Sequence, residues 1–218
     1  MGYDYRRIMK HALIFDLDGT LWDATVPVAE AWREVGQKYF GPSYSLSVEK
    51  TKSLMGKTMS EIKDALTPEG TPSDLKETFG AECFDYEREY LKDHPGKLFP
   101  EELQTLEALR ERYDLYIVSN CQSGYIETFL PLVPEGLFLG HRCWSDTKKE
   151  KQFTIRLLME AYGIEIAAYV GDTEKDELAA KAAGIPFIHA AFGFGRSIDP
   201  DATAESFQDL QNAAASVI

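Results

Sequence analysis

Residues 12–20 read A-L-I-F-D-L-D-G-T. Four apolar residues run into two aspartates separated by a single leucine. Carboxylates this close repel, and burial makes ionisation harder still. A buried strand aimed at such a pair therefore implies a cation to hold it. The arrangement recurs further along the chain. L-Y-I-V (115–118) runs into Ser119 and Asn120, and A-A-Y-V (167–170) into Gly171, Asp172 and, four residues on, Asp176. P-F-I-H-A (186–190) and the weaker L-F-L-G-H-R-C-W (137–144) complete a set of short apolar runs. Runs apolar on both faces suit a parallel sheet covered by helices on both sides. Helical patterns separate them at 100–112, 153–162 (before Gly163) and 175–183 (before Gly184). This alternation predicts a doubly wound, Rossmann-like α/β core. Ligands bind such sheets outside the carboxyl ends of the strands. Polar residues follow three different strands at that same end.

Residues 23–97 read differently. They show helical periodicity at 28–40, at 59–66 and from Pro72 to Lys92, with turn formers at Gly41-Pro42 and 68–72 and no convincing strand. An insertion of roughly seventy residues is too long for an ordinary connection. The expected organisation is a core of residues 1–22 and 98–218 with an inserted α-helical cap at 23–97. Such a cap would close over the site. Trp22, Trp32, Arg33, Gly56 and Lys57 are candidates to face the substrate, with Arg33 and Lys57 offsetting the acidic field.

The chain has 218 residues, 44% of them hydrophobic, and a formal charge of −13. That charge argues against nucleic acid and anionic membranes as partners. No apolar run approaches membrane-span length, and the N-terminus lacks a signal-peptide apolar region, so a cytoplasmic protein is expected. The three cysteines, Cys83, Cys121 and Cys143, have neither metal-type spacing nor the even number of a disulfide framework.

A hard divalent cation such as Mg2+ would relieve several converging carboxylates. Asp16 and Asp172 are the natural ligands, with Asp18 contributing its backbone carbonyl. A metal-held Asp16 is a plausible nucleophile, and the free carboxyl of Asp18 can move a proton. Ser119 and Asn120 offer donors to a phosphoryl oxygen. Phosphoryl transfer also needs a cationic side chain, and K-K-E-K (148–151) offers Lys148, Lys149 and Lys151 at a helix start. Two competing motifs fail. L-M-G-K-T (54–58) has Thr51 where a P-loop needs glycine, and D-L-D-G-T followed as an EF-hand places Pro27 at the twelfth position.

In this order, the motifs D-L-D-G-T (16–20), S-N (119–120), the lysines of 148–151 and G-D-T-E-K-D (171–176) resemble those of the haloacid dehalogenase superfamily, in its branch with an α-helical cap. The resemblance covers essentially the whole chain. It implies that Asp16 forms an aspartyl-phosphate and that Asp18 protonates the leaving group and then activates water. It also implies that Asp16, the Asp18 carbonyl and Asp172 hold Mg2+, that Thr20, Ser119 and Asn120 orient phosphate or its ligands, and that Asp176 stands behind them. K-Q-F-T-I is similar to a subgroup reading K-G-E-N-I, which favours Lys151, with Lys149 next. An aspartate at position 18 favours phosphate-ester over carbon–halogen chemistry. The implied function is hydrolysis of a small phosphorylated metabolite of the phosphoglycolate kind. A phosphosugar mutase is the close alternative and a phospho-accepting receiver a distant one. The substrate and the oligomeric state are not legible in the residues.

Overall fold

In a computed structural model of the chain, residues 11–218 are described, so the opening stretch 1–10 lies outside them. The elements follow in order β1 (His11–Phe15), β2 (Trp22–Asp23), α1 (Thr25–Phe40), α2 (Val48–Lys52), α3 (Met59–Leu66), α4 (Ser73–Asp93) and β3 (Lys97–Leu98). Then come α5 (Glu102–Arg110), β4 (Tyr113–Ser119), α6 (Ile126–Phe129), β5 (Gly140–Cys143), α7 (Trp144–Thr147) and α8 (Lys151–Tyr162). The chain closes with β6 (Ala167–Gly171), α9 (Glu174–Ala183), β7 (Phe187–Ala190), β8 (Ala202–Ala204) and α10 (Leu210–Val217).

Six strands form one parallel sheet in the order β5-β4-β1-β6-β7-β8. Successive strand residues point to opposite faces, and here both faces are buried. Leu13, Phe15, Leu115, Ile117, Val170 and Ile188 pack with Leu106 and Leu109 of α5 and Leu210 of α10. Ala12, Ile14, Tyr116, Val118, Tyr169 and Phe187 pack with Ile155 and Leu158 of α8 and Ala180 of α9. Each fully buried large side chain contributes about 1.5–3 kcal/mol. Burial on both faces is why these strands read as continuous apolar runs rather than as alternation.

β1 lies between β4 and β6, so the carboxyl ends that carry Asp16, Ser119 and Asp172 are neighbours. The chain leaves and re-enters this core through a two-stranded antiparallel neck that pairs Trp22 with Leu98 and Asp23 with Lys97. The sequence reading of 23–97 contained no strand, and the neck corrects it at both ends. A strand of two residues has no period to detect. Between the neck strands, α1 and α4 pack together through Phe40 on Phe79, with ring centroids 4.9 Å apart, and Trp32 on Phe84, at 6.4 Å. α3 begins at Thr58 with a capping box closed by Glu61, which satisfies two otherwise orphaned N–H groups. Besides the neck strands, five elements were not foreseen: α2, α6, α7, β8 and α10.

Candidate active site

The turn after β1 is built on one carbonyl. The N–H groups of Thr20, Leu21 and Trp22 all point to the Leu17 oxygen, at 3.2, 2.8 and 3.3 Å. Gly19 makes this turn possible. Its φ is +79°, a region that costs other residues strain, and a Cβ there would lie 2.5 Å from Asp172 Oδ2. The turn brings both aspartates to the sheet edge on a rigid backbone. Asp16 is 1% exposed and its N–H is held by the Val170 carbonyl of β6 at 2.8 Å.

Lys151 is the first residue of α8, a position that disfavours cations because of the helix dipole. It is nonetheless 6% exposed, with Nζ 3.0 Å from Asp16 Oδ1 and 2.5 Å from Asp176 Oδ1. The two carboxylates offset the unfavourable placement. Lys148 instead ends α7 in a left-handed conformation, and the ammonium of Lys149 lies over the Phe153 ring. Of the three candidate lysines, only Lys151 reaches the aspartates.

Asp16, Asp172 and Asp176 each bring an oxygen within 4.8 Å of the others. Their remaining bonds separate their roles. Asp176 is fully engaged: Oδ1 takes Lys151, and Oδ2 accepts from the Thr173 N–H and hydroxyl, closing the N-terminal box of α9. Asp172 is half engaged. Its Oδ2 accepts from the Phe194 and Gly195 N–H groups at 2.8 and 3.1 Å, while its buried Oδ1 has no hydrogen-bond partner. Asp16 Oδ1 also lacks a well-aligned hydrogen bond. Two buried, unsatisfied carboxylate oxygens beside a single ammonium form an all-oxygen donor set suited to a hard divalent cation.

The pattern of the haloacid dehalogenase-like hydrolases matches residues 13–190. The chain belongs to that family. It is 30% identical to the phosphoglycolate phosphatase of Photorhabdus laumondii over 91% of this chain and 90% of the relative. It is 28% identical to that of Aquifex aeolicus over 91% and 93%. Among solved structures it is similar to a predicted phosphoglycolate phosphatase from Haemophilus somnus, with TM-score 0.82, 20% identity and coverage of 94% and 98%. It is likewise similar to a haloacid dehalogenase-like hydrolase from Streptococcus pneumoniae, with TM-score 0.79, 24% identity and coverage of 93% and 97%. At such identities the structural likeness concerns the fold.

Within this family frame, Asp18 has its own environment. Its Oδ1 accepts from Trp22 Nε1 and from the Tyr125 hydroxyl, both at 2.9 Å. Burial, with Asp16 nearby, still pushes its pKa up to about 7. Burial likewise raises Asp16, and Lys151 works against that rise. Burial also raises Asp172, with Asp176 and Asp16 adding to it. Environment thus gives two adjacent carboxyls different tendencies: the lysine favours the charged form of Asp16, while Asp18 is poised to carry a proton near neutral pH.

Asp18, Ser119 and Asn120 line a cavity of about 30 Å3 closed from the other side by the helical layer. Asn120 Nδ2 reaches the Gly56 carbonyl at 3.3 Å, and Lys57 stands at the cavity wall. Other candidates lie elsewhere. Thr20 is fully buried with its hydroxyl unpartnered, and it is not on the cavity wall. Arg33 is half-buried near Tyr90 and does not line the cavity either. Trp22 is fully buried and serves Asp18, so it does not face a substrate. Tyr125, Glu87 and the Phe194–Gly195 amides went unread in the sequence. Only Trp22, four residues after Asp18, carried a local clue.

Proposed function

We propose that the chain is a Mg2+-dependent phosphatase that hydrolyses a small phosphate monoester through an aspartyl-phosphate on Asp16. The observation that carries this reading is Asp18: a carboxyl beside the nucleophile, held by two donors, with a pKa near 7. Phosphate-ester cleavage needs a proton donor for the departing alkoxide, whereas carbon–halogen cleavage does not. The names of the phosphoglycolate phosphatases it resembles point the same way.

Asp16 and Asp172, with the Asp18 carbonyl, would hold the metal, since their free oxygens are available and those of Asp176 are spent. A bound Mg2+ supplies charge neutralisation for the phosphoryl oxygens. The Asp16 carboxylate attacks phosphorus as the bond to the alcohol oxygen breaks, and Asp18 gives that oxygen its proton. Asp18, now ionised, takes a proton from the incoming water, whose oxygen displaces Asp16 from phosphorus. Lys151 keeps Asp16 ionised and oriented, and Ser119 and Asn120 donate to the phosphoryl oxygens. Helices α1–α4, within residues 23–97, act as the cap that shuts this site from water.

The test is hydrolysis of p-nitrophenyl phosphate and a panel of small phosphate monoesters, with and without Mg2+, by the wild type and Asp16→Asn. Phosphate release that requires both the metal and Asp16 supports the reading. Transfer of phosphate to a sugar without release would replace it with a mutase.

A further inference from the structure

The wall opposite Asp18 holds an acid that the proposed chemistry does not use. Glu87 of α4 is 4% exposed and lines the same cavity. Its Oε2 accepts from Trp32 Nε1 at 3.0 Å, and the Gln122 amide adds a further hydrogen bond. The adjacent Arg88 acts on it only through space, because its guanidinium hydrogen-bonds to Asp85 and the Ser123 carbonyl. The surroundings are otherwise apolar and aromatic: Trp32, Phe84, Tyr125, Met55 and Ile62. Burial pushes the Glu87 carboxyl up to about 8. A buried carboxyl with no cation in hydrogen-bond contact is held largely in its neutral form. Among the described residues, the only cationic side chain on the cavity wall is Lys57. It is half-buried and also lines the outer groove of Lys50, Glu61 and Asp64.

We propose that Glu87 and the rings of Trp32, Phe84 and Tyr125 form a subsite for a cationic leaving group, so that the preferred substrate is the phosphate monoester of a small amino alcohol. This rests on the phosphatase reading above. An ammonium beside Glu87 would favour its ionised form, the proton passing to solvent, and would pair with the carboxylate, while aromatic faces attract cations in a desolvated pocket. A leaving group bearing a carboxylate would instead sit between Asp18 and Glu87. Glu87 is thus a specificity-determining residue, and hydrolysis releases the amino alcohol and inorganic phosphate.

Three esters of nearly equal size separate the charges: 2-aminoethyl phosphate, 2-hydroxyethyl phosphate and phosphoglycolate. The experiment measures kcat/KM for each with the wild type, Glu87→Gln and Trp32→Phe, and calorimetric binding of each to Asp16→Asn. The expected order is aminoethyl, then hydroxyethyl, then phosphoglycolate, in both turnover and binding. Glu87→Gln should lower the aminoethyl-to-hydroxyethyl ratio tenfold or more. Trp32→Phe, which removes the N–H but keeps a ring, should lower it less. Phosphoglycolate ranking first overturns the proposal, as does an equal effect of Glu87→Gln on all three esters. Failure on all three with p-nitrophenyl phosphate still hydrolysed overturns the subsite alone. No hydrolysis of any ester overturns the phosphatase reading, and the binding order to Asp16→Asn then judges the subsite separately.

Discussion

Replacing Lys151 with methionine keeps most of the side-chain volume and removes one buried charge. At an effective permittivity of about 20, charges 3.0 and 2.5 Å apart attract by about 6 and about 7 kcal/mol. Desolvation of the ammonium and both carboxylates cancels most of that. The net cost of removing one partner from a buried ionic group is about 3–5 kcal/mol. That is a large share of the roughly 5–15 kcal/mol that holds a typical domain together. The loss should be largest without metal at neutral pH, where Asp16, Asp172 and Asp176 are left facing one another within 4.8 Å. Urea unfolding followed by tryptophan fluorescence in EDTA at pH 7 measures it. Lys151→Met should unfold at clearly lower urea than the wild type. Adding Asp176→Asn should restore about 1–3 kcal/mol, because one of the repelling carboxylates is gone. Saturating Mg2+ should narrow the gap, because a cation bound only to the folded state stabilises it. If Lys151→Met lies within about 1 kcal/mol of the wild type, or if Asp176→Asn makes it worse, the buried cluster is not held by that lysine.

Asp18→Asn should lower kcat by about 10²–10⁴-fold and let a phosphoryl adduct on Asp16 accumulate, visible by mass spectrometry; an unmodified protein during turnover would assign the proton transfer elsewhere. Gly193→Ala should weaken activation by Mg2+ about 10–100-fold with the fold retained, because the new Cβ would lie 2.3 Å from the Gly19 carbonyl and 2.4 Å from Asp172 Cβ. A Mg2+ titration of activity reads this, with circular dichroism as the check on folding. Metal-free stability should fall as pH rises. Asp18, at about 7, and Glu87 and Glu102, at about 8, keep their protons in the folded state far above the unfolded values near 4. Their contribution is complete below about pH 4 and is lost as pH passes through about 7 and 8. The urea midpoint in EDTA should therefore be lower at pH 8.5 than at pH 5, and an equal or higher midpoint would contradict these assignments.

Much of the core was legible because its signals are local. A-L-I-F and A-A-Y-V are β1 and β6 to within one residue, and L-Y-I-V is the middle of β4, since strands buried on both faces must be apolar throughout. Met59–Leu66 also reads directly from its period, and the structure adds its Thr58–Glu61 box. β2 and β3, two residues each, left no pattern to read. Thr20 sits within the first motif, yet its hydroxyl is turned into the interior, and no spacing rule reports orientation.

The sequence by itself determined the main strands and longer helices and which end of the strands carries carboxylates, because periodicity and chain adjacency are properties of neighbouring residues. Tertiary structure alone decided the rest of the site. It placed the ammonium of Lys151, the lysine the resemblance favoured over Lys148 and Lys149, between Asp16 and Asp176. It brought Tyr125 to Asp18 across 107 residues, the amides of Phe194 and Gly195 to Asp172 across 22 and 23, and Trp32 to Glu87 across 55. Hydrogen bonds and charge interactions act over a few ångströms of space whatever the distance along the chain. The partners that tune a carboxyl's proton or aim its free oxygen therefore exist only once the sheet and the helical layer have packed.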